Sequence, residues 1–170
     1  MKENFARALA AVLKSEGGFS NNPKDPGGAT NKGVTQAVYD DWRARHGLDK
    51  QSVRKLADNE LQAIYRHDYW DRVRGDDLPA GVDYATFDFA VNSGVSRAAR
   101  FLQAAAGVAQ DGAIGPATLA AVRSEPAFII SALVDKREAF LRSLPTFATF
   151  GDGWMARCDE VRTMALEMAG

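Results

Sequence analysis

The chain has 170 residues, of which 46% are hydrophobic and 25% are charged, proportions that are ordinary for a globular domain with a real core. Its net charge of −1 excludes a broadly basic surface, so nothing in the composition favours nucleic acid as a partner. A negatively charged polymer would have to be held by local contacts rather than by the field of the whole protein.

The stretch from Met1 to Ser15 lacks the features of a signal peptide. Charged residues such as Lys2, Arg7 and Lys14 alternate there with apolar residues at helical spacing, without a continuous apolar stretch. No other run approaches the roughly 18 apolar residues that a membrane span needs. We therefore expect synthesis in the cytoplasm without a signal peptide, no stable membrane insertion, and a separate device for any crossing of the membrane.

Helical periodicity dominates the sequence. The first helix is predicted from Asn4 to Glu16, with Phe5 and Leu9 on one face, and it ends at Gly17-Gly18. Further helices are predicted, in chain order, at residues 35–45, 58–69, 82–93, 96–106, 116–124, 126–144 and 152–169. Candidate residues for helix starts are Asp58 and Asp152 as N-caps, and Pro116 and Pro126 in first turns.

The segment from Gly17 to Val34 holds too many glycine and proline residues for a helix, which predicts a loop or a short irregular hairpin. The predicted fold class is therefore all-α, predominantly helical, with a possible small β-hairpin between Phe19 and Thr35. No internal repeat or long linker interrupts the chain, and the nearest feature to a boundary is the segment from Gly107 to Gly115.

The single cysteine, Cys158, cannot form an internal disulfide. It is in helical step with Trp154 and Val161, which favours a buried core residue over a reactive thiol. His46 and His67 lie in charged contexts without metal-ligand spacing, and both are predicted at the surface. The sequence therefore predicts no metal and no cofactor.

Glu16 is the first candidate for chemistry. At the helical repeat it lies within about 20° of Phe5 and Leu9, on the apolar stripe of the first helix. Partial burial and the negative end of the helix dipole both penalise the ionised form, which is what a general acid requires. The alternative is a glutamate that fringes the core and reaches water, and helix geometry alone favours that alternative.

The loop after Glu16 supplies candidate partners. Asp25 and Thr30 stand in the Pro/Gly-rich segment, where a rigid loop could present them across a cleft from Glu16. Glycosidic hydrolysis commonly uses an acid on one side of the bond and a second carboxylate, or a positioned water, on the other. Asp25 could equally cap a turn before Pro26, and Thr30 could cap a local turn.

A longer pattern carries a family resemblance. The run from Glu16 to Thr35, EGGFSNNPKDPGGATNKGVT, resembles the signature of glycoside hydrolase family 108, which comprises phage and bacterial N-acetylmuramidases, including endolysins and secretion-activator proteins. The resemblance continues in YWD at 69–71, LPAGVD at 78–83 and FDFAVNSG at 87–94. It implies a lysozyme-like helical fold, cleavage of the MurNAc–GlcNAc β-1,4 bond, and Glu16 as the catalytic glutamate.

The spacing of Glu16, Asp25 and Thr30 is also similar to the glutamate–aspartate–threonine triad of phage-type lysozymes. The sequence has one residue fewer between the aspartate and the threonine, so Thr35 or a water held by Asp25 could take the place of Thr30. Retention and inversion both stay open, because the separation of the two carboxyl groups decides between them.

Two further groups are candidates for substrate binding. Tyr69 and Trp70 could stack on sugar rings, or they could be core aromatics that close a helix. Asp88 and Asn92 lie one helical turn apart among apolar residues, so each must either be satisfied by a partner or line the cleft. Asn92 has the better claim to touch substrate, with a helix-terminal cap as its alternative.

The C-terminal part carries a separate motif, Asp111-Gly112-x-x-Gly115-Pro116-x-Thr118, which resembles the turn and helix of small peptidoglycan-binding domains. We interpret it as a structural relic of a wall-binding module, with direct glycan binding as the alternative. The predicted organisation is a lysozyme-like catalytic lobe at 1–94 and a C-terminal helical region at 95–170, packed into the same globule.

The function expected from the resemblance is that of an endolysin-type muramidase for host lysis. The alternative is a bacterial wall-remodelling protein that assists secretion, and a peptidase or amidase is disfavoured because no zinc or Cys/His constellation is present. The expected partners are the glycan strands of peptidoglycan and a holin-like export protein. We expect a monomer that acts on the cell wall in the periplasm.

Overall fold

The computed structural model describes residues 2–21 and 28–170. Among these residues it contains a two-stranded antiparallel sheet, β1 (Thr30–Asn31) and β2 (Val34–Thr35), and two 3₁₀ helices, Val53–Lys55 and Gly75–Asp77, with one π-helix at Arg66–Trp70. The described α-helices are α1 (Lys2–Ser15), α2 (Gln36–Arg45), α3 (Asp58–Tyr65), α4 (Val82–Ser93), α5 (Val95–Ala105), α6 (Pro116–Val122), α7 (Pro126–Arg142) and α8 (Phe147–Ala169). The predicted class, lysozyme-like and mostly helical with a small hairpin, is confirmed.

The helix starts show which local signals decide the boundaries. Pro116 and Pro126 begin α6 and α7, as predicted. The prediction for Asp58 is wrong by one residue, because Ala57 takes the N-cap position and Asp58 is already helical. The prediction for Asp152 is also wrong, because α8 begins at Phe147 and continues through Gly151.

Gly151 explains why α8 runs through a glycine-rich segment. A Cβ built on Gly151 would lie 2.7 Å from the ring of Phe147, one turn earlier in the same helix. The Phe147 ring therefore occupies the space that a side chain at position 151 would need. A glycine that usually weakens a helix is here a packing position.

The chain divides into two compact units, which we call the hairpin unit (residues 9–67) and the helical unit (residues 1–8 and 68–170). In the hairpin unit the buried residues come from the second half of α1, from β2, from α2 and α3, and from the first 3₁₀ helix. They are Leu9, Ala11, Val12, Val34, Tyr39, Trp42, Val53, Leu61, Ile64 and Tyr65. The division predicted from the sequence, a catalytic lobe at 1–94 and a C-terminal helical region at 95–170, stays a prediction.

The helical unit is built around α4. Every residue from Val82 to Ala90 is buried, and α4 packs against α5, α7 and α8. A helix that is enclosed on all sides in this way must satisfy its polar side chains internally. Cys158 on α8 is fully buried, which confirms its predicted place in the core.

Asp88 on α4 meets that demand with two arginines. Its Oδ1 accepts a hydrogen bond from Arg137 at 2.7 Å, and its Oδ2 accepts one from Arg157 at 2.9 Å. Asp88 and Arg137 are each about 2% exposed as side chains. Of the two interpretations open from the sequence, the internally satisfied carboxylate is therefore the right one for Asp88.

Among the described residues, no single helix has the length and apolar character to cross a membrane. The consecutive helices α6 and α7 have the required length and apolar character only when they are taken together, and the two helices are bent by 108° relative to each other.

Candidate active site

The hairpin is shaped by its two-residue turn. Strands β1 and β2 pair in antiparallel register, Thr30 opposite Thr35 and Asn31 opposite Val34, and Lys32 and Gly33 form the turn. Both turn residues have positive φ, 48° for Lys32 and 79° for Gly33. Positive φ at both positions is the conformation of the type I′ hairpin turn, which matches the twist of its strands and which glycine adopts without strain.

At Gly33 the turn packs against two polar side chains, those of Glu16 and Tyr65. A Cβ built on Gly33 would overlap the hydroxyl oxygen of Tyr65 and would lie 3.0 Å from Oε2 of Glu16. The Glu16 carboxylate and the Tyr65 phenol therefore both lie against the same point of the turn. Any other residue at this position would have to displace one of them.

Glu16 follows α1 directly, and its amide donates to the carbonyl of Leu13 at 3.3 Å. The helix ends at Ser15, one residue earlier than predicted. The side chain is half-buried, so part of it lies against the turn and part faces outward. A carboxyl group in such a position can deliver a proton to a group that approaches from the exposed side.

Tyr65 holds the turn through a hydrogen bond to its backbone. Its side chain is 1% exposed, and its hydroxyl donates a hydrogen bond to the carbonyl of Lys32 at 2.9 Å. The bond satisfies a buried phenol and fixes the turn at the residue before Gly33. Lys32 is fixed a second time by an ion pair of 2.9 Å with Asp58, which is largely exposed.

Thr30 and Thr35 are brought together as cross-strand partners. The backbone of Thr30 also exchanges two hydrogen bonds of 2.8 Å with Ser20, which ties the segment after Glu16 to the hairpin. The hydroxyl of Thr35 accepts the amide of Val38 at 3.3 Å and caps α2. Roles of Thr30 in catalysis and of Thr35 toward substrate stay predictions, and Asp25 lies outside the described residues.

A polar network holds α2 and α3 beneath the hairpin. Glu60 accepts hydrogen bonds from the Tyr39 hydroxyl at 2.6 Å, from Arg43 at 2.8 Å and from the Ala57 amide at 3.0 Å. Burial works to raise the pKa of Glu60, but the bonds from Tyr39 and Ala57, with the charge of Arg43, hold the pKa of this carboxyl below its usual value.

Trp70 belongs to the core of the helical unit. It is completely buried, with its ring 5.3 Å from that of Phe5 and 5.4 Å from that of Phe87, and its Nε1 donates to Asp76 at 3.0 Å. A Cβ on Gly75 would overlap the indole. The predicted stacking of Trp70 on a sugar ring is therefore wrong, and Trp70 is a core aromatic residue.

The remaining predicted substrate residues also lie in the helical unit. Tyr69 is half-buried in the π-helix, a form of helix that recurs at functional sites. Asn92 is exposed in the last turn of α4, where its side-chain oxygen accepts a bond from the Ser93 hydroxyl at 3.1 Å. Contact of either residue with substrate stays a prediction.

Two residues of the site were missed in the sequence, Tyr65 and Gly33. Tyr65 is spaced with Leu61 and Ile64 as core residues of a helix are, so its pattern carries no chemical signal. The pair Lys32-Gly33 is not one of the usual hairpin dipeptides such as Asn-Gly or Asp-Gly, so the sequence pointed to a hairpin only through its density of breakers.

The motif at Asp111 forms a turn. Oδ1 of Asp111 accepts bonds from the Ala113 amide at 2.9 Å and from Gln103 at 2.6 Å, and these bonds hold the pKa of the carboxyl below its usual range. The Gly112 amide donates to Gln103 at 2.9 Å, and α6 then starts at Pro116. The Asp111 side chain therefore stabilises the turn through its Oδ1 atom.

The two histidines, His46 and His67, are both exposed, as predicted. In the described part of the chain, no three His, Cys, Asp or Glu side chains converge as a metal site would require.

Comparison with known proteins assigns the family. The family model for glycosyl hydrolase 108 matches residues 9–94, which include Glu16, the hairpin and Tyr65. This chain belongs to glycoside hydrolase family 108. The family predicted from the run at 16–35 is thereby confirmed. Membership of family 108 supports a glycosidase.

A second family model, described as a predicted peptidoglycan domain, matches residues 97–159 of this family 108 chain. Among solved structures, that of SagA from Brucella abortus has 49% sequence identity to it and a TM-score of 0.85, over 99% of this chain and 97% of that one. A search of curated proteins found no match. The two matches together support peptidoglycan as the polymer on which the protein acts.

Proposed function

We propose that the protein is a lysozyme-type N-acetylmuramidase that hydrolyses the MurNAc–GlcNAc β-1,4 bonds of bacterial peptidoglycan, with Glu16 as the general acid. The observation that carries the proposal is the position of the Glu16 carboxylate, half-buried and held against the Gly33 turn beside the Tyr65 phenol. Membership of family 108 supplies the reaction class, and the match to a peptidoglycan domain supplies the polymer.

In the proposed reaction, Glu16 donates its proton to the glycosidic oxygen as the bond from that oxygen to the anomeric carbon breaks. A water molecule supplies the hydroxyl that completes the new reducing end, and its remaining proton returns to a base at the site. Asp25 is the proposed second carboxylate, and Thr30 or Thr35 is the proposed hydroxyl that orients the water. Because these threonines are cross-strand neighbours, either hydroxyl belongs to the same small region of the hairpin.

Mass spectrometry of the products tests which bond is cleaved. Purified peptidoglycan digested by the protein should yield fragments with muramic acid at the new reducing end and with intact peptide stems. New reducing ends on glucosamine would assign a different glycosidic bond, and shortened peptides would assign a peptidase or amidase. Either result would overturn the proposal.

The proposed setting is the periplasm, where an endolysin degrades the wall of its host after release by a holin-like partner. The alternative setting is remodelling of a bacterium's own wall to assist secretion. Expression of the full chain in a host, with and without a holin gene, distinguishes them. Lysis that depends on the holin supports the endolysin, whereas growth without lysis together with local glycan cleavage supports remodelling.

A further inference from the structure

Two neighbouring hollows that share Phe101 lie along α5 in the helical unit, the second of them between α5 and α7, and we call them together the α5–α7 groove. The first has a volume of about 420 Å³ and is lined by Ser93, Gly94, Ser96, Arg97, Arg100 and Phe101. The second has a volume of about 480 Å³ and is lined by Phe101, Ala104, Gln110, Lys136, Ala139 and Phe140. Both hollows are shallow and open to solvent.

The groove has an aromatic floor. The rings of Phe101 and Phe140 meet edge to face with centroids 5.7 Å apart. The guanidinium of Arg97 lies over the Phe140 ring at 4.6 Å. This contact holds an exposed cation in a fixed place without consuming its hydrogen-bond donors.

Both arginines of the groove are also tied to the backbone. Arg97 donates one bond to the carbonyl of Ser93 at 3.2 Å, and Arg100 donates one to the carbonyl of Gln110 at 2.6 Å. A guanidinium has five N–H donors in a planar fork. A single bond to the backbone therefore orients the group and leaves the other donors for a carboxylate. The two side chains are therefore pre-arranged rather than loose.

The side chains that line the groove carry positive charge. Its described lining contains Arg97, Arg100 and Lys136 and no carboxylate. The acidic residues of α7, Asp135 and Glu138, are instead bound by Arg162 of α8, each at 2.8 Å. The protein as a whole has a net charge of −1, so this groove is a local exception to its surroundings.

Asp111 follows the Gln110 carbonyl that Arg100 contacts and does not line the groove, although the charge of Arg100 adds to the bonds from Ala113 and Gln103 in lowering the pKa of its carboxyl. Its Oδ1 accepts bonds from Gln103 and from the Ala113 amide, which keeps it within its own turn. An incoming anion would thus meet three cations beside an apolar floor. Carboxylates form charge-assisted bonds with arginine, which are about twice as strong as bonds between neutral groups.

We propose that the α5–α7 groove binds the carboxylate-bearing peptide stem of peptidoglycan. The inference rests on the proposed function, because a muramidase must hold a glycan whose muramic acid residues carry such stems. The carboxylates of the stem pair with Arg97, Arg100 and Lys136, and its alanine methyl groups lie on Phe101 and Phe140. Most of the groove lies within the segment that matches the peptidoglycan domain.

Calorimetric titration with a soluble muropeptide, GlcNAc–MurNAc carrying its stem, tests the proposal. The full chain with Glu16→Gln is used so that binding is measured without turnover. The added changes Arg97→Gln and Arg100→Gln should weaken binding about tenfold or more, because charge-assisted bonds are lost. The matched control changes the exposed Arg72 and Arg123 of the same unit to glutamine, which alters the net charge equally and should leave binding unchanged.

The same muropeptide with its carboxyl groups converted to amides supplies the second arm. Its affinity for the unchanged groove should fall to the level of the arginine variant. Equal binding of the arginine variant and its control would overturn the proposal, and so would equal binding of the amidated and free muropeptides. If the double arginine variant unfolds, Lys136→Gln at an exposed position gives the same comparison. Failure of the muramidase proposal is seen separately, as an absence of new reducing ends in digests by the unaltered protein.

Discussion

Gly33 lies directly against the carboxylate of Glu16, so close that a Cβ at position 33 would come within 3.0 Å of Oε2. The same Cβ would overlap the phenol oxygen of Tyr65, which holds the turn through the Lys32 carbonyl. The turn, the Glu16 carboxylate and the Tyr65 phenol therefore form one contact, and a change in any of the three should affect the others.

Gly33→Ala should lower both the stability and the activity of the protein. The positive φ alone costs an alanine about 1–2 kcal/mol, and the overlap with Tyr65 and Glu16 adds to that cost. Gly47→Ala is a matched control, because Gly47 has a φ of 67° in the same unit but open space around its Cβ. The free energy of unfolding and kcat on purified peptidoglycan are measured for both. Equal losses in the two variants would show that the contact with Glu16 has no consequence.

Tyr65→Phe should weaken the hold on the turn. Loss of a buried hydrogen bond costs about 0.5–1.5 kcal/mol, and kcat should fall more than KM rises because the acid is misplaced rather than the substrate lost. The pH profile of kcat should shift with it, which a purely structural loss would not produce. Tyr39→Phe, at a buried phenol bound to Glu60, is the control that loses stability and keeps its kcat.

The two changes should also be coupled. Tyr65→Phe removes the oxygen atom that a Cβ at position 33 would overlap, so Gly33→Ala should be less costly when it is combined with Tyr65→Phe than when it is made alone. A double-mutant cycle on the free energy of unfolding measures this coupling. Strict additivity would contradict the described contact.

Glu60 makes the stability of the hairpin unit depend on pH. Its pKa in the folded state is held below the unfolded value, against the effect of burial, by Tyr39, Ala57 and Arg43. The stabilisation is therefore complete above the unfolded pKa and is lost as the pH falls through the folded pKa. Denaturant unfolding between about pH 7 and pH 3 should show this loss, and Glu60→Gln should show a lower stability at neutral pH and a smaller decline. A decline of equal size in both proteins would assign it to other carboxyl groups.

The sequence was sufficient for much of the fold, and it singled out Glu16 as the candidate acid, whose role stays a prediction. The bounds of α4, Val82–Ser93, follow from the glycines that flank it, and the hairpin follows from the density of breakers after Glu16. Helix α8 could not be delimited, because whether Gly151 breaks a helix depends on the Phe147 ring that fills its space. Local composition does not contain that information.

The partners of Glu16 show the same limit. Tyr65 has the spacing of a core residue, and only the folded chain reveals that its hydroxyl reaches Lys32 and lies beside position 33. Trp70 allowed two interpretations until its complete burial between Phe5 and Phe87 decided for the core. Contacts between residues distant in sequence are set by packing, which a one-dimensional pattern does not specify.

Asp88→Ala should destabilise the helical unit strongly. It leaves the buried Arg137 and the partly buried Arg157 without their shared carboxylate, and removal of one partner from a buried ion pair costs about 3–5 kcal/mol. Asp135→Ala, in a largely exposed ion pair with Arg162, should cost about 1 kcal/mol or less. Chemical denaturation compares the two variants, and losses of similar size would contradict the buried network.

The most direct test of Glu16 as the donor of the proton to the leaving oxygen is the rate at which reducing ends are released from purified peptidoglycan. Glu16→Gln keeps the shape of the side chain and removes the proton, so kcat should fall by about 10²–10⁴-fold while the unfolding free energy stays close to that of the unaltered protein. Glu167→Gln, at an exposed position of α8, should retain full activity. A Glu16→Gln protein that releases reducing ends at the unaltered rate would contradict this role.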